Sequence, residues 1–131
     1  MRACEHYTSL RRRAEFSRVH RQGRRKGDAL LQVRVLPHPA AGVEPLPPVR
    51  LGIIVSKKFG ASVARNRFKR LVRAALRTLA PELSRGWDLL VLPREAQGVT
   101  MLDVLTSLRQ LLSALGLVKA IAEPLAEEQG R

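Results

Sequence analysis

The chain has 131 residues and carries 24 Lys and Arg against 11 Asp and Glu, a net charge of +13. That length holds one domain with one core, and an apolar content of 45% excludes a chain disordered by composition. A single cysteine, Cys4, excludes an internal disulfide and a multi-cysteine metal site, and no apolar run reaches the roughly 18 residues of a membrane span.

The excess charge is not spread evenly. Residues 1–80 hold 19 of the 24 cations against 4 acids, while residues 81–131 hold 5 cations against 7 acids. A charge concentrated in part of one fold marks a face for a polyanion, and arginine outnumbers lysine, which favours bidentate recognition of phosphate and stacking on bases. The polar N-terminus has no signal-peptide pattern, so the expected compartment is the cytosol.

In chain order, residues 1–13 are polar and end in Arg11-Arg12-Arg13, which reads as a flexible basic arm. Residues 14–22 read as a short helix with Phe16, Val19 and His20 at helical spacing and Gly23 as its stop. Residues 30–36 alternate as a strand, with Leu31, Val33 and Val35 on one face and Gln32 and Arg34 on the other. Residues 37–48 hold five of the eight prolines and read as an extended connection. A second strand runs over 50–56, nearly continuous in apolar character and therefore expected at the centre of the sheet. A helix over 63–79 follows, with Ser62 as N-cap and Pro81 beyond its end. A third strand covers 87–92, and the last helix starts near Thr100, with Asp103 completing a capping box, and runs to Gly116. Residues 119–131 read as a disordered acidic tail, which leaves 14–118 as the folded domain. The order is α-β-β-α-β-α, with room for a short strand at 25–27, and implies one sheet with helices packed on it.

The richest segment is Ala64-Arg65-Asn66-Arg67-Phe68-Lys69-Arg70-Leu71-Val72-Arg73. At about 100° per residue, Phe68, Leu71, Val72, Ala75, Leu76 and Leu79 share one stripe. Arg65, Asn66, Lys69, Arg70, Arg73 and Arg77 fall on roughly the opposite side, and Arg67 flanks the apolar stripe. No acid lies between Lys57 and Leu79 to relieve the repulsion, whereas ordinary solvated helix faces mix signs. Upstream, Ser56-Lys57-Lys58-Phe59-Gly60 adds cations beside the helix N-terminus, a corner suited to phosphate but not a nucleotide-binding P-loop, because GxxxxGK[ST] is absent.

These residues resemble a known family, the protein subunit of bacterial ribonuclease P. The resemblance lies in Leu51-Gly52-Ile53-Ile54-Val55-Ser56-Lys57-Lys58-Phe59-Gly60, then Ala64-Arg65-Asn66-Arg67-Phe68-Lys69-Arg70, with Glu15-Phe16, Val19 and Gly23 before them. It covers about residues 10–115. It implies an α+β domain with a four-stranded sheet in the order α-β-β-β-α-β-α and a left-handed crossover of ribosomal-protein type. It implies that Lys57, Lys58, Arg65, Asn66, Arg67, Lys69, Arg70 and Arg73 face a catalytic RNA subunit. It further implies that a cleft with Arg12, Phe16, His20, Gln32 and Arg34 takes the single-stranded 5′ leader of precursor tRNA, with cleavage carried by the RNA and its magnesium ions and no cofactor on the protein alone. His20 and Arg34 stand where the family often has aromatic residues, which shifts the expected contacts from stacking toward charge.

Most protein nucleases use a His pair with a Lys, or carboxylates clustered on a metal. His6 lies in the arm and His38 between prolines, so neither is expected to be held in place, and the acids form no DxD or ExxE cluster. A ribosomal or other structural RNA-binding protein is the main alternative. A DNA-binding helix-turn-helix is disfavoured because no short packed helix and tight turn precede Arg65, and a membrane surface is disfavoured because the basic helix spends its apolar face on the sheet.

Overall fold

The computed structural model describes residues 7–94 and 98–118. Residues 1–6 of the arm, with Cys4 and His6, and the acidic tail expected at 119–131 lie outside the described residues. Within them the elements are β1 (Thr8–Ser9), α1 (Arg13–Gln22), β2 (Arg24–Gly27), β3 (Leu31–Pro37), β4 (Arg50–Ile53), α2 (Ser62–Leu79), β5 (Trp87–Pro93) and α3 (Met101–Leu115). From α1 onward this is the α-β-β-β-α-β-α order, and the class is α+β as expected.

The sheet has five strands, not four, in the order β1-β4-β5-β3-β2. The extra strand comes from what was expected to be arm. Leu10 is buried, and the amides of Thr8 and Leu10 donate to the carbonyls of Val49 (2.8 Å) and Leu51 (2.9 Å). One apolar side chain and two backbone bonds are enough to lay this segment parallel to β4. The middle of the sheet is β5, which pairs antiparallel with β3 and parallel with β4. β4, expected there, is one place off centre and stops at Ile53, because the chain turns away through Lys57–Phe59 to enter α2.

The two sheet faces differ. Leu31, Val33, Val35, Leu51, Leu89 and Val91 point to one side and pack with Phe68, Val72, Ala75, Leu76 and Leu79 of α2 and with Val104, Leu108, Leu111, Leu112 and Leu115 of α3. Burying Val, Leu, Ile and Phe side chains at roughly 1.5–3 kcal/mol each makes this the main source of stability. On the other side a smaller cluster of Leu10, Val19 and Leu90, bordered by Phe16, Leu36, Ile54 and Leu92, seats α1.

Helix ends follow the local chemistry in one case and depart from it in another. Thr100 caps α3, its hydroxyl accepting from Asp103 N–H (3.2 Å) while the Asp103 carboxylate accepts from Thr100 N–H (2.9 Å). At the other end Gly116 has φ +89°, a left-handed conformation that lets its N–H and that of Leu117 reach the last carbonyls. Ser62 is not the N-cap of α2. Ala61 holds that position, with no side-chain cap, and Ser62 is the first helical residue.

Candidate nucleic-acid interface

The basic stripe of α2 forms as the spacing predicts, but not all of its members are free. Asn66, Arg70, Arg73 and Arg77 are exposed and follow one another at three- and four-residue steps along the helix. Arg65 and Lys69 are half-buried. Arg65 Nη1 donates to the carbonyl of Gly60 (3.3 Å), folding back on the turn before the helix. Arg67 Nη2 donates to the carbonyl of Val99 (2.6 Å) and so ties α2 to the segment leading into α3. Both are structural clasps as well as candidate RNA contacts.

Lys57 and Lys58 are exposed on the turn between β4 and α2, where the Phe59 ring packs tilted against Phe68 at 5.5 Å. Lys58 does not join the α2 stripe. It lines a groove of about 270 Å³ with Ile54, Ser56, Phe59, Leu92, Pro93 and Arg94, at the C-terminal ends of β4 and β5.

The cleft residues sit on the α1 side of the sheet. Register places Gln32 beside Leu92, Arg34 beside Leu90 and Leu36 beside Asp88, with Arg25 of β2 directly opposite Arg34. α1 crosses this face. Phe16 lies over Gly52 of β4, where an added Cβ would come within 2.6 Å of its ring. At the other end of the helix the His20 carbonyl accepts from Arg34 Nη1. Arg34 Nε donates to Gln32 Oε1 (3.0 Å), so its guanidinium is oriented by two partners. Burial, and then the neighbouring Arg25, pulls the Arg34 pKa below the ordinary arginine value. Like charges opposite one another across two strands are unfavourable without an anion between them. β3 is an interior strand, so Arg34 is not an edge-strand residue waving in solvent.

Arg12 is exposed at the N-terminal end of α1 and His20 is exposed near its C-terminal end. The ten-residue helix sets them roughly 12–15 Å apart, so they can flank the same strand of nucleic acid only along its length. Glu15 anchors this N-terminal end. Its carboxylate accepts from the amides of Arg11 (2.8 Å) and Arg12 (3.0 Å), and these two bonds lead in lowering its pKa.

The sequence divides the candidates into two sets, one on α2 and one on the cleft. The structure joins them. Phe16, Lys69 and Arg73 line a second groove, of about 220 Å³, together with Ser9, Leu10, Leu51, Gly52 and Ile53. An aromatic ring with two cations on its rim can hold a base against the ring and a phosphate against the cations. Sequence reasoning missed Arg25 and Arg94 as cleft neighbours. The Arg25–Arg34 pair follows only from strand register, and the Arg94 guanidinium lies against Gly27 and donates to the carbonyl of Asp28 (3.0 Å). His38 is also better held than expected. Its Nδ1 accepts from Ala40 N–H (2.9 Å), its own amide donates to the Gly86 carbonyl (2.9 Å), and burial lowers its pKa.

Among the described residues no three His, Cys, Asp or Glu side chains converge as metal ligands, and no helix is long and apolar enough to cross a membrane.

The family model described as Ribonuclease P matches residues 5–116. The chain is 36% identical over 116 residues to the ribonuclease P protein component of Cyanothece sp., covering 79% of this chain and 88% of that one. It is 37% identical over 107 residues to the protein of the same name from Chloroflexus aggregans, covering 77% of this chain and 75% of that one. The solved ribonuclease P protein of Thermotoga maritima superposes with a TM-score of 0.69 at 29% identity, over 81% of this chain and 96% of that one. The one from Staphylococcus aureus does so with a TM-score of 0.68 at 26% identity, over 85% and 97%.

Proposed function

The chain belongs to the ribonuclease P protein family, and from that premise we propose that it assists a catalytic RNA in removing the 5′ leader of precursor tRNA, gripping the RNA subunit with α2 and the leader with the α1 cleft. It is the protein subunit of a tRNA-processing endoribonuclease. The observation that carries the division of labour is the pair of polar surfaces centred on different sides of one sheet, the exposed Asn66–Arg70–Arg73–Arg77 row and the Arg34, Gln32, Phe16 and His20 cleft, which meet at the groove lined by Phe16, Lys69 and Arg73.

The first surface suits a folded RNA. It lies along an 18-residue helix with no acid in its sequence, and each cation that meets a phosphate releases counterions. The second suits a single strand. It has a stacking ring in Phe16 and shares its sheet face with Leu92 and Ile54, which line a groove with the cations Lys58 and Arg94. Arg34, pre-oriented by Gln32 and the His20 carbonyl, presents its remaining N–H groups to a phosphate or a base edge.

Cleavage belongs to the RNA and the magnesium ions bound in the ribonucleoprotein, and the protein contributes binding and orientation. The side-chain inventory supports this: among the described residues the one fully buried carboxylate, Asp88, is consumed by two arginines, and His38 is occupied by backbone. Such a particle works in the cytoplasm, on tRNA, with neither DNA nor membrane as a partner.

The test is reconstitution. Catalytic RNA and precursor tRNA at physiological magnesium should give faster 5′ processing when the chain is added, while the chain without the RNA should leave precursor uncut. A chain that instead co-purified with ribosomal subunits and left processing unchanged would favour the ribosomal alternative.

A further inference from the structure

Asp88 is fully buried in β5, and each of its carboxylate oxygens is taken by arginine. Oδ1 accepts from Arg50 Nε (2.8 Å), and Oδ2 accepts from Arg50 Nη2 (2.7 Å) and Arg18 Nη1 (3.2 Å). The chain of contacts continues outward on both sides. Arg50 Nη1 donates to Glu15 Oε2 (2.9 Å), and Arg18 Nη2 donates to the carbonyl of Pro37 (2.9 Å). The other Glu15 oxygen holds the amides of Arg11 and Arg12.

The network therefore touches the three central strands and one helix. Arg50 is in β4, Asp88 in β5 and Pro37 at the end of β3, while Glu15 and Arg18 both belong to α1. Glu15 and Arg18 are three residues apart and so share a face of the helix. Two tethers on one face fix two things that a greasy contact alone leaves loose: the height of α1 above the sheet and its rotation about its own axis. The apolar seat of α1 is small: among the described residues its buried members are Leu10, Val19 and Leu90. Apolar packing is non-directional, whereas bidentate guanidinium–carboxylate bonds are directional.

Height and rotation of α1 decide the cleft. Phe16 and His20 ride on the helix, and the His20 carbonyl is one of the two groups that aim Arg34. We propose that Asp88 is a positioning residue for the leader: through Arg18 and Arg50 it sets the placement of α1 over the sheet, and with it the width of the cleft and the aim of Phe16, His20 and Arg34. This rests on the cleft being the leader site. Asp88 has no exposed surface, so any effect on RNA binding must be transmitted. α2 packs on the opposite face of the sheet and meets the α1 side at the groove that Lys69 and Arg73 share with Phe16, so the grip on the RNA subunit should change far less than the leader preference.

The experiment uses holoenzyme reconstituted with Asp88→Asn, with Arg18→Met and with Arg34→Ala as a probe of the cleft itself. Affinities are measured for a precursor tRNA with a long leader and for mature tRNA, together with the affinity of each protein for the catalytic RNA alone and its urea midpoint. Asp88→Asn and Arg18→Met should each lower the precursor-over-mature preference about tenfold, the size of one lost base–aromatic stack, with affinity for the catalytic RNA within about twofold of the parent. If Asp88→Asn does not fold, Arg18→Met decides, because it keeps the Asp88–Arg50 pair. Preference lost in Arg34→Ala but kept in Arg18→Met would overturn the positioning role and leave the cleft reading standing. Preference kept in all variants would remove both. Parallel losses for precursor, mature tRNA and catalytic RNA that track the urea midpoint would show a merely structural network and also overturn the proposal.

Discussion

Replacing Arg70, Arg73 and Arg77 together by alanine probes the α2 surface, with Arg73 the member that also lines the groove beside Phe16. All three side chains are exposed and none has a carboxylate partner among the described residues, so the fold has little to lose. Arg73 and Arg77 are an i,i+4 like-charge pair, and Arg70 and Arg73 an i,i+3 pair. Their removal should relieve a few tenths of a kcal/mol each, and alanine is the better helix former, so the urea midpoint should stay level or rise. Binding to the catalytic RNA should move the other way. Each lost phosphate contact lowers the slope of log K against log salt by about 0.7–0.9, so three contacts lower it by about 2 to 3. At 0.1 M salt that corresponds to roughly a hundredfold to several hundredfold weaker binding, with the two lines converging toward 1 M. Filter binding or fluorescence titration across 0.05–0.5 M salt measures the slope. Parallel lines for parent and triple variant would refute the argument, because they would mean that no ion is released at this face.

Gly52→Ala should push Phe16, Leu10 and Leu90 apart, because the new methyl would sit 2.6, 2.8 and 3.1 Å from them; a cost of about 1–3 kcal/mol in urea unfolding is expected, with a fall in leader preference. Glu15 has a folded pKa below its ordinary 4.5, so its stabilisation is present above that value and is lost as pH falls through the folded pKa. Glu15→Gln should therefore flatten the acid limb of a stability-against-pH curve below about pH 4.5, and an acid limb of unchanged steepness would contradict the role assigned to its amide bonds. Thr100→Ala should cost about 0.5–2 kcal/mol by removing the α3 cap without touching RNA affinity.

Local pattern made much of this fold legible. The three-and-four spacing from Phe68 to Leu79 gives α2 its buried side, the alternation from Leu31 to Val35 gives β3 its two faces, and Thr100, Asp103 and Gly116 mark the ends of α3 to the residue. What the pattern hid is long-range. β1 is two residues long, shorter than any period, and depends on a partner about 42 positions away. Asp88 meets Arg50 across 38 residues and Arg18 across 70, and an isolated Asp at the head of an apolar strand carries no hint of either. The candidate site was legible as a list of residue types, not as an arrangement. That Lys58 falls on the cleft side, and that Lys69 and Arg73 share a groove with Phe16, depends on how the strands are registered.

The placement of β5 at the middle of the sheet has a consequence for how the protein is made. It is the last strand in sequence, yet β3 and β4 both pair with it. During synthesis the β2–β3 hairpin can close on its own, but β4 and β1 have nothing to join to that hairpin until about residue 93 has left the ribosome. Until then the sheet in the most cationic part of the chain is incomplete, and α1 has only part of the surface it sits on. Assembly of the sheet is thus timed by the arrival of one seven-residue segment, and the non-local pairings it completes make this a late, single step rather than a gradual one.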